Sequence, residues 1–208
     1  MSAPHPDPLR RRWLSHAPAW LAATCLPTVP RCAWPHGSAG PLETPRLLGD
    51  WPLLDDLGQQ RPLSARLRGQ VTAIQLMFTG CSALCPLQGA LFANVQQRLG
   101  ADLSRQGIGL LSISIDPLAD DPAALARWRR GFEAGAAWRA ASPRPHELDA
   151  LLDQLDDGRN APRPTGDRHS TQVMVCDRQG RLRWRSQPLT SAEPVVQALR
   201  QLARPTPN

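Results

Sequence analysis

The feature that most constrains this chain is an apolar run that ends in a pair of cysteines and passes at once into a helix. Val71-Thr72-Ala73-Ile74-Gln75-Leu76-Met77-Phe78 is short and β-rich, as a strand buried on both faces should be, and it stops at Thr79-Gly80-Cys81. Beyond Cys85, the apolar residues Leu87, Ala90, Leu91, Val95 and Leu99 recur at helical spacing. Pro86 suits the first turn of that helix, where its missing N–H costs nothing. A second apolar run, Ile108 to Ile115, then supplies a strand that pairs in parallel with the first through the helical crossover. Strand, helix, strand commits the chain to the α/β class, with a central sheet flanked by helices.

The remaining signals fit around that unit. Leu53 to Gln60 reads as a small hairpin turning at Gly58, and Leu63 to Leu67 lead into a turn at Arg68-Gly69-Gln70. Asp121 is a natural cap for a helix from Pro122 to about Phe132, with Asp116 in the preceding turn. Ala136 to Ala141 predicts a short strand and Pro145 to Leu155 a helix, with Leu148, Leu151, Leu152 and Leu155 on one side. Gly158 to Gly166 reads as a loop. Thr171 to Cys176 and Leu182 to Ser186 form a hairpin through Asp177-Arg178-Gln179-Gly180, and Ser191 to Ala203 closes the domain as an amphipathic helix. No internal repeat is present.

Ahead of this domain the chain changes character. Arg10-Arg11-Arg12 precede Trp13-Leu14 and a mildly apolar stretch from Ala17 to Val29, the layout of a secretory signal with a faint twin-arginine likeness. Pro18, Pro27 and Pro30 make it a poor membrane span. Cys25 sits behind Leu21-Ala22-Ala23-Thr24, an imperfect lipoprotein box, so a membrane tether through the N-terminus stays open. Trp13, Trp20 and Trp34 suit an interface. Pro35 to Pro45 is rich in Pro, Gly and Ser and reads as a linker. The domain expectation is therefore 1–47 for export signal or anchor plus linker, 48–203 for the folded domain and 204–208 for a tail. Residues 1–47 point to the periplasm or the extracytoplasmic face of the inner membrane.

Charge excludes one class of function. The net charge of +6 comes entirely from Arg, with no Lys, but only Arg10 to Arg12 form a run. No basic stripe is interleaved with aromatics, so nucleic acid is not an expected partner.

The chemistry concentrates at Cys81 and Cys85, two of five cysteines. A helix N-terminus favours thiolate through its dipole and free N–H groups. A separation of four brings both sulfurs within reach of a disulfide or of one metal ion. Either chemistry is open, as is a purely structural disulfide. A third ligand would decide. His5, His16 and His36 lie in the N-terminal segment and His146 opens a surface helix, whereas His169 stands directly before the strand that starts at Thr171. Two thiolates and an imidazole suit copper, and the same set can hold zinc with an open position. Spacing alone leaves His169 a surface histidine as readily as a ligand. Cys176, among Val and Met, reads as a small buried hydrophobe, Met77 and Met174 as core, and Trp51, Trp128, Trp138 and Trp184 as packing.

Phe78-Thr79-Gly80-Cys81-Ser82-Ala83-Leu84-Cys85-Pro86 resembles the F-T-x-C-x-x-x-C-P motif of the Sco/SenC family of copper chaperones. Ser114-Ile115-Asp116-Pro117 with Asp121-Pro122 is similar to its S-x-D-P-x-x-D-x-P segment. His169-Ser170-Thr171 followed by Asp177-x-x-Gly180 resembles its D-H-S/T strand and D-x-x-G turn. The likeness runs from about Leu48 to Ala203. It implies a thioredoxin-like fold and a copper ion held by Cys81, Cys85 and His169. It also implies work on the dinuclear copper centre of cytochrome c oxidase, as copper donor or as thiol reductant, with the copper-centre subunit or another copper protein as partner. Two departures stand out: Asp167-Arg168-His169 displaces the Asp that usually precedes the His, and the Trp138 region lacks the family's Gly.

Two functions of different class follow. One is a metallochaperone, for which His169 is needed. The other is an extracytoplasmic thiol–disulfide oxidoreductase in which Cys81 and Cys85 are the catalytic pair and no metal is obligatory. A peroxidase fits less well, because Thr79 stands two residues before Cys81 rather than three.

Overall fold

The structure is a computed structural model that describes residues 39–156 and 170–205. The export and anchor segment with Cys25 and Cys32, the loop Gly158 to Gly166 and His169 lie outside the described residues. Within them the chain forms β1 (Gly40–Leu47), β2 (Pro52–Asp55), β3 (Gln60–Pro62), α1 (Leu63–Leu67), β4 (Val71–Met77), α2 (Cys85–Leu99), α3 (Asp102–Arg105) and β5 (Ile108–Ser114). There follow α4 (Pro122–Gly131), β6 (Trp138–Pro143), α5 (Leu148–Leu155), β7 (Met174–Cys176), β8 (Arg181–Arg185) and α6 (Ala192–Ala203).

The eight strands make one mixed sheet in the order β1-β8-β7-β4-β5-β6-β2-β3. β4, β5 and β6 run parallel at its centre, and the flanking pairs are antiparallel. Every residue of β4 and β5 is buried, because helices cover both faces. Side-chain alternation sorts them. Val71, Ala73, Ile108 and Leu110 face α2 and α6, packing on Phe92, Val95 and Leu199. Ile74, Leu76, Leu111 and Ile113 face the other way, towards Leu63 and Leu67 of α1 and Leu151 and Leu155 of α5.

Local chemistry accounts for the helix starts. Asp121 caps α4 by accepting the Ala124 N–H at 2.6 Å, and Pro122 occupies the first turn. Gly89 lets α2 approach α4, since a Cβ there would lie 2.2 Å from the ring of Phe132. Trp138, fully buried, meets Phe92 and Trp128 edge-on at 5.6 Å and donates its indole N–H to Ser112.

Three expectations are corrected. Residues 40–47 are not linker but β1, an antiparallel edge strand on β8 with a register shift between Pro41 and Arg46. An edge strand tolerates Pro because its outer N–H groups need no partner, so composition alone misled. The folded domain thus starts ahead of Leu48. The strand expected from Thr171 is regular only over Met174–Cys176, although Val173 still exchanges bonds with Ser186. The helix expected from Pro145 begins as a 3₁₀ turn, Pro145–Glu147. Among the described residues no helix is long and apolar enough to cross a membrane.

Candidate functional site

The site lies where β4 ends. Beyond Met77 the chain turns, with the Cys81 N–H donating to the Phe78 carbonyl at 3.3 Å, and then enters α2 at Cys85. The two sulfurs are held by backbone donors. Cys81 Sγ accepts the N–H of Cys85 at 3.4 Å, and Cys85 Sγ accepts the N–H of Phe78 at 3.4 Å. Cys81 is half-exposed and Cys85 is 4% exposed. Apolar Met77, Leu125 and Ala140 surround Cys85, with Phe78 and Trp128 at the edge.

This geometry makes the pair unequal. Burial opposes ionisation of Cys81, but the N–H groups of Cys85, Ala83 and Leu84 and the Cys85 thiol outweigh it, so its pKa falls below the usual value. Burial dominates at Cys85 and, with the charges of Cys81 and Asp120, pushes its thiol up to about 12 against the Phe78 N–H. The expectation that the helix start would favour thiolate therefore holds for one cysteine only. The N–H groups at and just before the helix start, those of Ala83, Leu84 and Cys85, act on the sulfur that precedes the helix, not on the one carried on its first residue.

Asp120 is the residue that sequence reasoning missed. It is 2% exposed and accepts the Thr79 hydroxyl at 2.6 Å, the Ser114 hydroxyl at 2.6 Å and the Thr79 N–H at 3.1 Å. These bonds tie the loop that leads to Cys81 to the loop that follows β5. The sequence resemblance pairs Asp121 with the second Asp of S-x-D-P-x-x-D-x-P. Counting from Ser114 puts that Asp at 120, and the count alone would have found it. Asp116 and Asp121 keep their turn and cap roles.

Of the three expected ligands the structure brings Cys81 and Cys85 together, and His169 lies outside the described residues. Among the described residues no group of three His, Cys, Asp or Glu side chains is arranged to hold a metal ion. Two soft sulfurs bound to neighbouring backbone N–H groups do fit a thiophilic ion such as copper. β7 runs antiparallel to β4 with Met174 opposite Ile74, so Ser170 and Thr171 enter the sheet from the end of β4 that leads to Cys81. Cys176 is fully buried in β7 and burial raises its pKa, as suits an inert core thiol. His146 is exposed.

Comparison with known proteins adds to this. The SCO1/SenC family model matches residues 39–204. The mitochondrial protein SCO2 homolog of Mus musculus is 36% identical over 84 residues, which are 40% of this chain and 32% of that protein. The aligned stretch is thus about a third of that relative's length. A SCO1/SenC family lipoprotein from Bacillus anthracis superposes with a TM-score of 0.66 at 21% identity, covering 78% of this chain and 99% of that one. ScoI of Bradyrhizobium japonicum, solved with copper bound, gives 0.60 at 23% identity over 75% of this chain and 99% of its own. BsSco, described with a disulfide switch and as a member of the Sco family of cytochrome c oxidase assembly proteins, gives 0.64 at 17% identity over 78% and 95%. At these identities the likeness fixes the fold, which is thioredoxin-like.

Proposed function

The chain belongs to the SCO1/SenC family, and from that premise we propose that it is a copper-binding assembly factor. It works on the dinuclear copper centre of a respiratory oxidase, with Cys81, Cys85 and His169 as the copper ligands. The observation that carries the reading is the paired placement of the two sulfurs, each accepting a backbone N–H at 3.4 Å where β4 gives way to α2. Copper is the cargo of this protein, and soft sulfur donors select it over harder ions. Cys81, the more acidic thiol, meets an incoming ion first. Cys85 is the buried partner whose proton leaves when a metal or a second sulfur takes its place.

The same asymmetry supports a second activity, thiol–disulfide exchange. The Cys81 thiolate attacks one sulfur of an oxidised partner, breaking its S–S bond and forming a mixed disulfide. The Cys85 thiol loses its proton and attacks Cys81 Sγ. The second partner thiolate leaves, and two electrons have passed to the partner. The family's oxidase centre is built from cysteines, so reduction and copper delivery can act on one target. The N-terminal segment supports an extracytoplasmic location, released or tethered by its first ~30 residues.

X-ray absorption on the copper-loaded chain tests the site, with two sulfur neighbours and one nitrogen expected. His169→Ala should weaken copper in a chelator competition and leave the Cys81–Cys85 disulfide able to form. Only oxygen and nitrogen neighbours, or unchanged affinity in the variant, would overturn the ligand set. A fusion of Met1 to Glu43 to a reporter active only after export tests location. A silent reporter recovered whole from the cytosol overturns that part.

A further inference from the structure

The opposite end of the sheet carries a cleft unrelated to the cysteine pair. It measures about 570 Å³ and opens between the β2–β3 hairpin, α1 and the beginnings of β4, β5 and β6. Cys81 follows the last residue of β4, whereas Thr72 at the cleft lies near its first. The rise of ~3.3 Å per residue puts roughly 17 Å of strand between Thr72 and Met77.

The lining is strongly basic. Arg61, Arg66, Arg68 and Arg139 face the cleft against one carboxylate, Asp55. That carboxylate is fully engaged. Its Oδ1 accepts the N–H groups of Leu57 and Gln59, and its Oδ2 pairs with Arg66 at 3.2 Å and Arg139 at 3.6 Å. The neighbouring Asp56 is saturated in turn by Arg129 at 2.6 Å and Arg139 at 3.3 Å. No acidic group is left for Arg61 and Arg68, whose exposed side chains have no ion-pair partner among the described residues. Burial, joined by the charges of Arg139 and Arg61, lowers the pKa of Arg66 in spite of Asp55, which reports the same crowding of cations.

Two buried polar atoms here lack partners. The Thr72 hydroxyl, on a residue 1% exposed in the floor of the cleft, makes no hydrogen bond, and neither does Nε of Arg66, whose side chain is 9% exposed. A buried group left unpaired is costly and calls for a reason. Convergent guanidinium groups with an uncommitted hydroxyl beneath them are the chemistry that binds oxyanions, and the volume is that of a small-molecule site.

We propose that this cleft binds the phosphate or carboxylate group of a small multivalent anion, held by Arg61 and Arg68 with Thr72 at its floor. The site is distinct from the copper ligands and is occupied independently of them.

The test is calorimetric titration of the full chain with pyrophosphate and, separately, with citrate. Saturable one-to-one binding of pyrophosphate alone assigns phosphate chemistry, of citrate alone carboxylate chemistry, and of both oxyanions in general; each supports the site. The double variant R61A/R68A should weaken binding at least tenfold while Cys81 keeps its faster reaction over the buried Cys85 with a disulfide reagent. Thr72→Val, which keeps the shape and deletes the unpaired hydroxyl, should raise the melting temperature of the unliganded protein yet weaken the anion. Absence of saturable binding by either probe, or binding that survives both sets of substitutions unchanged, overturns the proposal.

Discussion

Removing one cysteine at a time exposes the inequality of the pair. In Cys85→Ser the remaining thiol is Cys81, held below its ordinary 9.0, so at about pH 8 at least about a tenth of it is thiolate. In Cys81→Ser the remaining thiol is Cys85, and at about 12 only about one part in ten thousand is thiolate. Burial, the largest cause of that rise, survives the substitution. The hydrogen bond and charge of Cys81, which also raise the Cys85 pKa, are lost with the substitution, so the thiolate populations differ by up to about a thousandfold. A more basic thiolate is also more nucleophilic, and a Brønsted coefficient of ~0.45 returns roughly twentyfold of the difference. Cys81 should then react with a small aromatic disulfide up to about 40-fold faster than Cys85, before the poorer access to Cys85 is counted. The rates are read by mass spectrometry on the tryptic peptide 69–98, which carries both positions and excludes Cys25, Cys32 and Cys176. The Cys81 rate should also level off at a lower pH than the Cys85 rate. Rates within threefold of each other, or a faster Cys85, would refute the assignment of the two roles.

Asp120→Ala orphans three donors beside the site and should lower stability by about 3–5 kcal/mol in urea unfolding. Asp120→Asn, which removes the charge that helps to raise the Cys85 pKa, should speed the reaction of Cys85 in the single-cysteine protein. Gly89→Ala drives a methyl into Phe132 and should cost about 1–3 kcal/mol, seen as a lowered melting temperature with copper stoichiometry unchanged. Asp55 has its folded pKa depressed below 3.8: burial works against this, and the Gln59 and Leu57 N–H groups with Arg66 prevail. Its contribution is therefore complete above 3.8 and is lost as pH falls through the folded value. Asp55→Asn should flatten the acid limb of the stability curve and, by leaving Arg66 buried without its ion pair, lower stability at neutral pH by about 3 kcal/mol.

The α/β class, the strand–cysteine–helix unit and most element positions are legible in the amino-acid order alone. These rest on local physics: a run of apolar β-formers, Pro86 in a first turn, Asp121 as a cap and Gly58 in a turn with positive φ are each written in a few adjacent residues. The candidate pair Cys81 and Cys85 was legible for the same reason, being one motif on one turn of chain. Tertiary structure decided what no local window contains. It enlisted Gly40–Leu47 as an edge strand because β8, about 140 residues later, offered an unpaired edge. It made the two thiols unequal, since desolvation and the direction of N–H groups depend on what packs over a sulfur and not on the motif that carries it. It turned Asp120 from a residue beside a cap into the acceptor that joins two loops. And it brought Arg139 of β6 beside Arg61, Arg66 and Arg68, which lie within one short stretch of sequence, around one cleft, because the order of strands in a sheet sets which distant side chains share a volume.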